Sequence, residues 1–259
     1  MTKKLLCLLF FLLITCWGCT KKPSGPDLHE VILKKGYITV GTSFDSKPFA
    51  FKDTDGQIKG IEPDLAREIS KRMFDNKIKI ILRDITPQDR VRAAQSGEVD
   101  MVISTMTITR KRKKLVKFSD PYFIAGQVIC AKKDRKIESV GDLLNKTVIV
   151  IIGTTGEENI KRFAPNALIW AFDDNAKAIK EFETTKAAAI TTDDSLLLGL
   201  ASENSNYIIL PTRLTKEPYG IAFKKSDTTK VFEKNLNETI NNILNDGTLD
   251  MIKEKWGVY

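Results

Sequence analysis

The sequence predicts an α/β fold, parallel sheets covered by helices, and two observations carry that expectation. Short runs rich in Val, Ile and Thr recur along the chain; TVIVII at residues 147–152 is the β-branched kind that a strand buried on both faces requires. Between such runs lie stretches whose apolar residues return at helical spacing, with recognisable starts and stops.

Taken in order, residues 37–44 (YITVGTSF) read as a first strand. Ile61–Phe74 reads as a helix, with Pro63 near its start and Leu65, Ile69 and Met73 on one face. Residues 77–85 (KIKIILRDI) alternate as a strand does. TPQDRVRAAQSG at 86–97 predicts a helix with Thr86 as N-cap, Pro87 in the first position and Gly97 as the stop. VDMVIS at 99–104 is a buried strand. The second half repeats the habit: helix over Thr155–Phe163, strand 167–172, helix 175–183, strand 187–192, helix 194–202. Residues 227–246 form a long amphipathic helix with Val231, Phe232, Leu236, Ile240 and Ile243 on its apolar face and Gly247 at its end. A last helix ends near Trp256 and Gly257.

The 259 residues are 42% hydrophobic and 29% charged, enough apolar material for one large core or two modest ones. The N-terminus reads as a signal peptide over residues 1–19. Lys3 and Lys4 precede the apolar run LLCLLFFLLI, which is short for a membrane span; an uncleaved anchor is the alternative. Cys7, Cys16 and Cys19 all fall in this segment. The CWGC spacing mimics a redox pair, but it trails a leader rather than joining a βαβ unit. A small residue before a cysteine resembles a lipoprotein box, which makes Cys19 after Gly18 the lipid-attachment candidate and Cys16 its rival. Residues 20–29 form a Pro/Gly/Ser-rich polar tether. Only Cys130 remains beyond it, so the mature domain forms no internal disulfide, and its apolar setting marks it as a small buried hydrophobe. The formal charge of +8 suits anionic solutes or an acidic membrane face; the leader implies export, so nucleic acid is not an expected partner.

Five blocks then carry a resemblance: VGTSFDSKPFAFKDTDGQIKGIEPDLAREI, STMTITRKRKKLVKFSDPYFIAGQ, GTTGEENIKRF, AAAITTDDSLLLGLA and EPYGIAFKK. In this order they resemble family 3 of the bacterial extracellular solute-binding proteins, the polar amino-acid binders of ABC importers, from about Gly36 to Trp256. The resemblance implies a periplasmic-binding-protein-like fold of type II, with two Rossmann-like lobes joined by two crossing strands. Lobe one would hold residues 30–123 plus 218–259, lobe two 124–217, with hinges near 124–127 and 214–217. Ligand would sit in the cleft where the C-terminal ends of the strands face each other.

A free amino acid carries a carboxylate and an ammonium, so its site needs opposed charges held apart. Arg112 stands where the family places its carboxylate-binding arginine, and a guanidinium matches a carboxylate bidentately. Thr107, with Thr105 nearby, would add donors at a strand end. Thr155, after Gly153 and Thr154 at a helix start, would reach the same carboxylate through free amides and the helix dipole. Asp193 matches the ammonium-binding aspartate. Judged alone, RKRKK around Arg112 is a solvated basic face, and Asp193–Asp194 a helix-capping pair.

For the ligand side chain, Ser43 and Ser46 stand where binders of basic amino acids carry an aspartate and a tyrosine, so no grip for lysine or arginine is evident. Arg90 matches an arginine that glutamate and aspartate binders use, and pairing with Asp89 or Glu98 is its plain alternative. Asn175 at a helix start is a further contact. The expected ligand is glutamate or aspartate, with glutamine next. The resemblance implies capture by hinge closure, delivery to ABC permease membrane subunits, a monomer, a lipid anchor in the membrane, and no cofactor, metal or catalysis. A cyclic-acid dehydratase of the same fold is the enzymatic alternative. The single histidine, His29, falls in the tether, and no catalytic partner is evident for Glu62 or Glu217. Ligand-sensing and surface-antigen roles stay open.

Overall fold

The β-branched segment Tyr37–Thr42 becomes the inner strand of a first sheet, buried from Ile38 onward. In the computed structural model, which describes residues 25–258, that sheet has five strands in the order Lys79–Asp84, Tyr37–Thr42, Met101–Val102, Ala222–Lys224, Val116–Phe118. Tyr37–Thr42 runs parallel to both neighbours, and Ala222–Lys224 antiparallel to its own two. The leader with Cys7, Cys16 and Cys19, and the start of the tether, lie outside the described residues.

A second sheet orders Leu168–Phe172, Thr147–Ile151, Ala189–Asp193, Gln127–Lys132 and Tyr207–Ile209. Its first three strands are parallel; the last two join antiparallel. Val148, Ile149, Val150 and Ile151 are all buried, because helices and loops cover both faces. Cys130 is buried there as a free thiol, its pKa pushed up to about 12 by burial. Between the sheets, Phe123–Ala125 pairs antiparallel with Glu217–Tyr219. The chain leaves the first sheet along one strand of this ribbon and returns along the other.

The first core gathers Ile38, Val40, Ile61, Leu65 and Ile69 with Phe232, Leu236, Ile240 and Ile243 of the helix Lys230–Asn245. Burying each such side chain stabilises the lobe by about 1.5–3 kcal/mol. Four expectations shift. Val231 is half exposed rather than on the apolar face, since the helix turns Phe232 inward. A 3-10 turn, Asp227–Thr229, precedes that helix. His29 is not in a free tether: Leu28–Lys35 is a helix capped by Asp27, and the His29 ring stacks on Phe74 at 4.7 Å.

The fourth shift bears on the site. The predicted helix 86–97 begins only at Arg90, with Pro87–Asp89 in a turn before it. The Thr86 hydroxyl donates to Asp89 rather than capping a helix from position 87. Arg90 explains why: its buried guanidinium bonds the Pro87 carbonyl at 3.0 Å, holding that turn against the Ser104–Thr105 backbone. Gly97, in the left-handed region at φ +80, ends the helix as expected.

Candidate functional site

The two lobes meet around a cavity of about 20 Å³ whose walls include Arg90, Thr105, Thr107, Thr155, Asn175 and Asp193. That is room for roughly one water, too small as the lobes stand for a solute the size of a free amino acid. Arg112 is not among its walls. This side chain is 9% exposed; its guanidinium donates to the Thr107 carbonyl at 2.8 Å and, across the cleft, to the Gly153 carbonyl at 3.0 Å. Burial lowers its pKa, opposed by the charges of Glu158, Glu217 and Asp193. The helix turn Arg110–Lys113 carries it inward because Thr109 caps that turn through the Arg112 N–H.

Thr107 bridges antiparallel to Tyr219, and its hydroxyl lies 3.4 Å from that of Thr155. Thr105 sits at φ +40, a conformation that costs a non-glycine residue about 1–3 kcal/mol. Its N–H donates to Glu62 Oε1 at 2.5 Å, which offsets that cost and removes the amide from ligand duty. Glu62, wholly buried, also accepts from the Tyr122 hydroxyl at 2.6 Å and from Thr42. Burial raises its pKa against these three donors and the Arg90 charge.

Opposite stands Asp193, last residue of Ala189–Asp193 and N-cap of the helix Asp194–Glu203. It makes no side-chain cap bond; its Oδ2 accepts the Tyr219 hydroxyl at 2.5 Å instead. Burial pushes its pKa up to about 7, helped by the charges of Glu217 and Asp194 and resisted by the Tyr219 hydrogen bond and Arg90. Asp194 plays a different part, accepting from the Gly126 and Ser195 N–H groups and pairing with Arg213.

Arg90 is 3% exposed and binds three backbone carbonyls rather than Asp89 or Glu98, which pair with Arg92. Burial, then the Arg112 charge, pull its pKa down to about 9, against Tyr219, Glu62 and Asp193. Asn175 faces the cavity from lobe two while its Nδ2 donates to Asp45 and Ser46 of lobe one. Asp45 also accepts the Asn175 and Ala176 N–H groups, at 2.8 and 3.2 Å, as a cap supplied from the other lobe. Ser43 is not brought to the cavity: its hydroxyl donates to the Ile85 carbonyl at 3.3 Å.

Sequence alone does not assign Tyr219, Glu62, Tyr122 or Asp45 to the site. The EPYGI block contains Tyr219, but nothing local marks a tyrosine as the partner of an aspartate 26 residues before it. A neighbouring cavity of about 570 Å³ shares Asn175, Thr192 and Leu196 with the small one. Its walls are largely apolar, Ile and Leu with Trp256 and Val258, beside the charged residues Asp45, Lys47 and Glu183; the small cavity, where Arg90 and Asp193 meet Thr105, Thr107 and Thr155, is the candidate. Among the described residues no cluster of His, Cys, Asp or Glu could hold a metal, and no helix is long and apolar enough to cross a membrane.

The chain is similar to known proteins in sequence and in fold. The glutamine-binding protein of Geobacillus stearothermophilus is 38% identical over 222 residues, 85% of this chain and 84% of its own length. The ABC transporter glutamine-binding protein GlnH of Bacillus subtilis (strain 168) is 36% identical over 241 residues, 92% of this chain and 88% of its own. The crystal structure of the ancestral amino acid-binding protein AncCDT-1, a precursor of cyclohexadienyl dehydratase, matches at a TM-score of 0.81 and 38% identity. That match covers 88% of this chain and 98% of the ancestral one. The fold is the two-lobed, type II periplasmic-binding-protein fold. Residues 38–259 match the family described as bacterial extracellular solute-binding proteins, family 3, and the chain belongs to that family.

Proposed function

We propose that this chain is the substrate-binding subunit of an ABC importer, capturing a free polar amino acid, with glutamine first and glutamate next. One observation carries the ligand choice: a donor and an acceptor flank the same cavity. Arg90 supplies N–H groups, and its charge is already faced by Glu62 and Asp193, so a neutral carbonyl suits it. Asn175 spends its Nδ2 on Asp45 and Ser46, leaving its carbonyl oxygen to accept. Donor beside acceptor is the complement of a side-chain amide. The two relatives named for glutamine support placing it ahead of the glutamate and aspartate that Arg90 alone suggests.

The α-carboxylate would bind Arg112, helped by Thr107 and the start of the helix Thr155–Phe163, and the ammonium would bind Asp193. Lobe two, residues 124–217, would swing over ligand held by lobe one, residues 30–123 and 218–259, about the ribbon Phe123–Ala125/Glu217–Tyr219. Ligand favours the closed form only through such contacts made on closure. Calorimetry with twenty amino acids tests this: glutamine should bind tightest and glutamate more weakly. Arginine as the tightest ligand would overturn the ligand choice, and silence toward all twenty would overturn the subunit's role. Export and attachment through Cys19 complete the proposal; fatty-acid labelling that survives Cys19→Ser would refute that attachment and leave Cys16 to be tested.

A further inference from the structure

A threonine hydroxyl has one proton and two lone pairs, so where the proton goes decides what the oxygen offers elsewhere. Thr155 opens the helix Thr155–Phe163 and lines the small cavity, yet its hydroxyl proton is committed away from it. It donates to Glu217 Oε2 at 2.8 Å. In the longer contact with Thr107 at 3.4 Å, Thr155 is therefore the acceptor. Glu217 is 3% exposed, stands on the crossing ribbon, and holds Asn159, one turn further along the same helix, through its other oxygen at 3.4 Å. One carboxylate thus fixes both the helix start and the direction of its hydroxyl.

On the lobe-two wall, the Thr155 oxygen and the Asp193 carboxylate then both present lone pairs to the cavity. Donors on that side come from backbone N–H groups at the helix start, which lack intrahelical acceptors. We propose that Glu217 is a positioning residue: by taking the Thr155 proton it makes the Thr155 side chain a reader of the ligand's ammonium, and leaves the carboxylate to the backbone N–H groups and Arg112. This rests on the amino-acid reading above. Glu217 acts on Asp193 as well, through charge; the other charged or titratable groups facing Asp193 are Asp194, Arg90, Arg112 and Tyr219.

The test is calorimetry of L-glutamine and L-glutamate, from pH 5.5 to 8.5, on wild type, Glu217→Gln, Thr155→Val, Thr155→Ser and the Glu217→Gln/Thr155→Val pair. Glu217→Gln keeps the shape but leaves one acceptor oxygen for the two donors Thr155 and Asn159, setting its amide N–H groups against one of them, and should weaken binding about tenfold. It should also move the acid limb of the affinity profile to lower pH, because Asp193 loses a neighbouring negative charge. Thr155→Val should cost about as much, Thr155→Ser little, and the double variant much less than the product of the two. An unmoved pH profile in Glu217→Gln, or multiplying losses in the double variant, would overturn the role of Glu217 while wild type still binds. Wild type that binds no amino acid would overturn the reading beneath it as well.

Discussion

Arg112 shows how a residue in an unpromising setting comes to be buried between the lobes. Within RKRKK it reads as one of five solvated cations, yet Thr109 caps its turn and aims the guanidinium into the seam between lobes. There it ties two carbonyls, one from each side. Its neighbour Lys111 does the ordinary thing, pairing with Glu158 at the surface. Arg112→Ala should cost about 2–5 kcal/mol of ligand affinity, since the ligand carboxylate and Asp193 lose their counter-charge together. Calorimetry at pH 8 reads that loss; an affinity within twofold of wild type would remove Arg112 from the site. Arg90 teaches the converse. Sequence separates neither its burial nor its three carbonyl partners from the surface pairing that Arg92 makes instead, because both arginines sit in the same short helix.

At the scale of elements, legibility followed how local the cause was. Ile61–Phe74 and Thr155–Phe163 begin and end where apolar spacing and end residues place them, since both signals lie inside the segment. The helix at 86–97 lost its first turn because the deciding contacts come from Ser104 and Thr105, outside it. The same holds for the cap that Asp45 provides to the helix Asn175–Thr184 from the opposite lobe. Gly153 joins these long-range causes. Its φ of +79 is awkward for other residues, and a Cβ there would lie 2.5 Å from the Gln88 Cα of lobe one. GTTG alone is a weak loop signal; what makes its first glycine necessary is the closeness of the other lobe. The order of blocks along the chain was readable, whereas the polar contacts that close the cleft depend on side chains 26 to 130 residues apart.

For the whole molecule, the meeting of the lobes sets several charges in a dry seam, and pH reports the consequence. Asp193 has a folded pKa near 7, above its ordinary value of 3.8. Between those values the folded chain holds a proton that the unfolded chain has released. Stability contributed by this group therefore falls as pH rises from about 4 to 7, by roughly 1.4 kcal/mol for each pH unit crossed. Glu62, also raised by burial, adds in the same direction. Carboxylates with lowered values, such as Asp246 near 2, lose their contribution only on acidification below about pH 4. His29 is lowered, so it opposes the trend: its contribution is lost as pH falls through 6.5. Asp193→Asn separates these, keeping an acceptor for Tyr219 but removing the titration. Thermal unfolding without ligand at pH 5 and pH 8 should show wild type losing more stability over that interval than the variant. Saturating glutamine should act the other way, stabilising wild type more at pH 8, where Asp193 is charged and can pair with the ammonium. Equal pH slopes in wild type and Asp193→Asn would mean that burial between the lobes does not raise this aspartate, and the proposed ammonium contact would have to be sought elsewhere in the cleft.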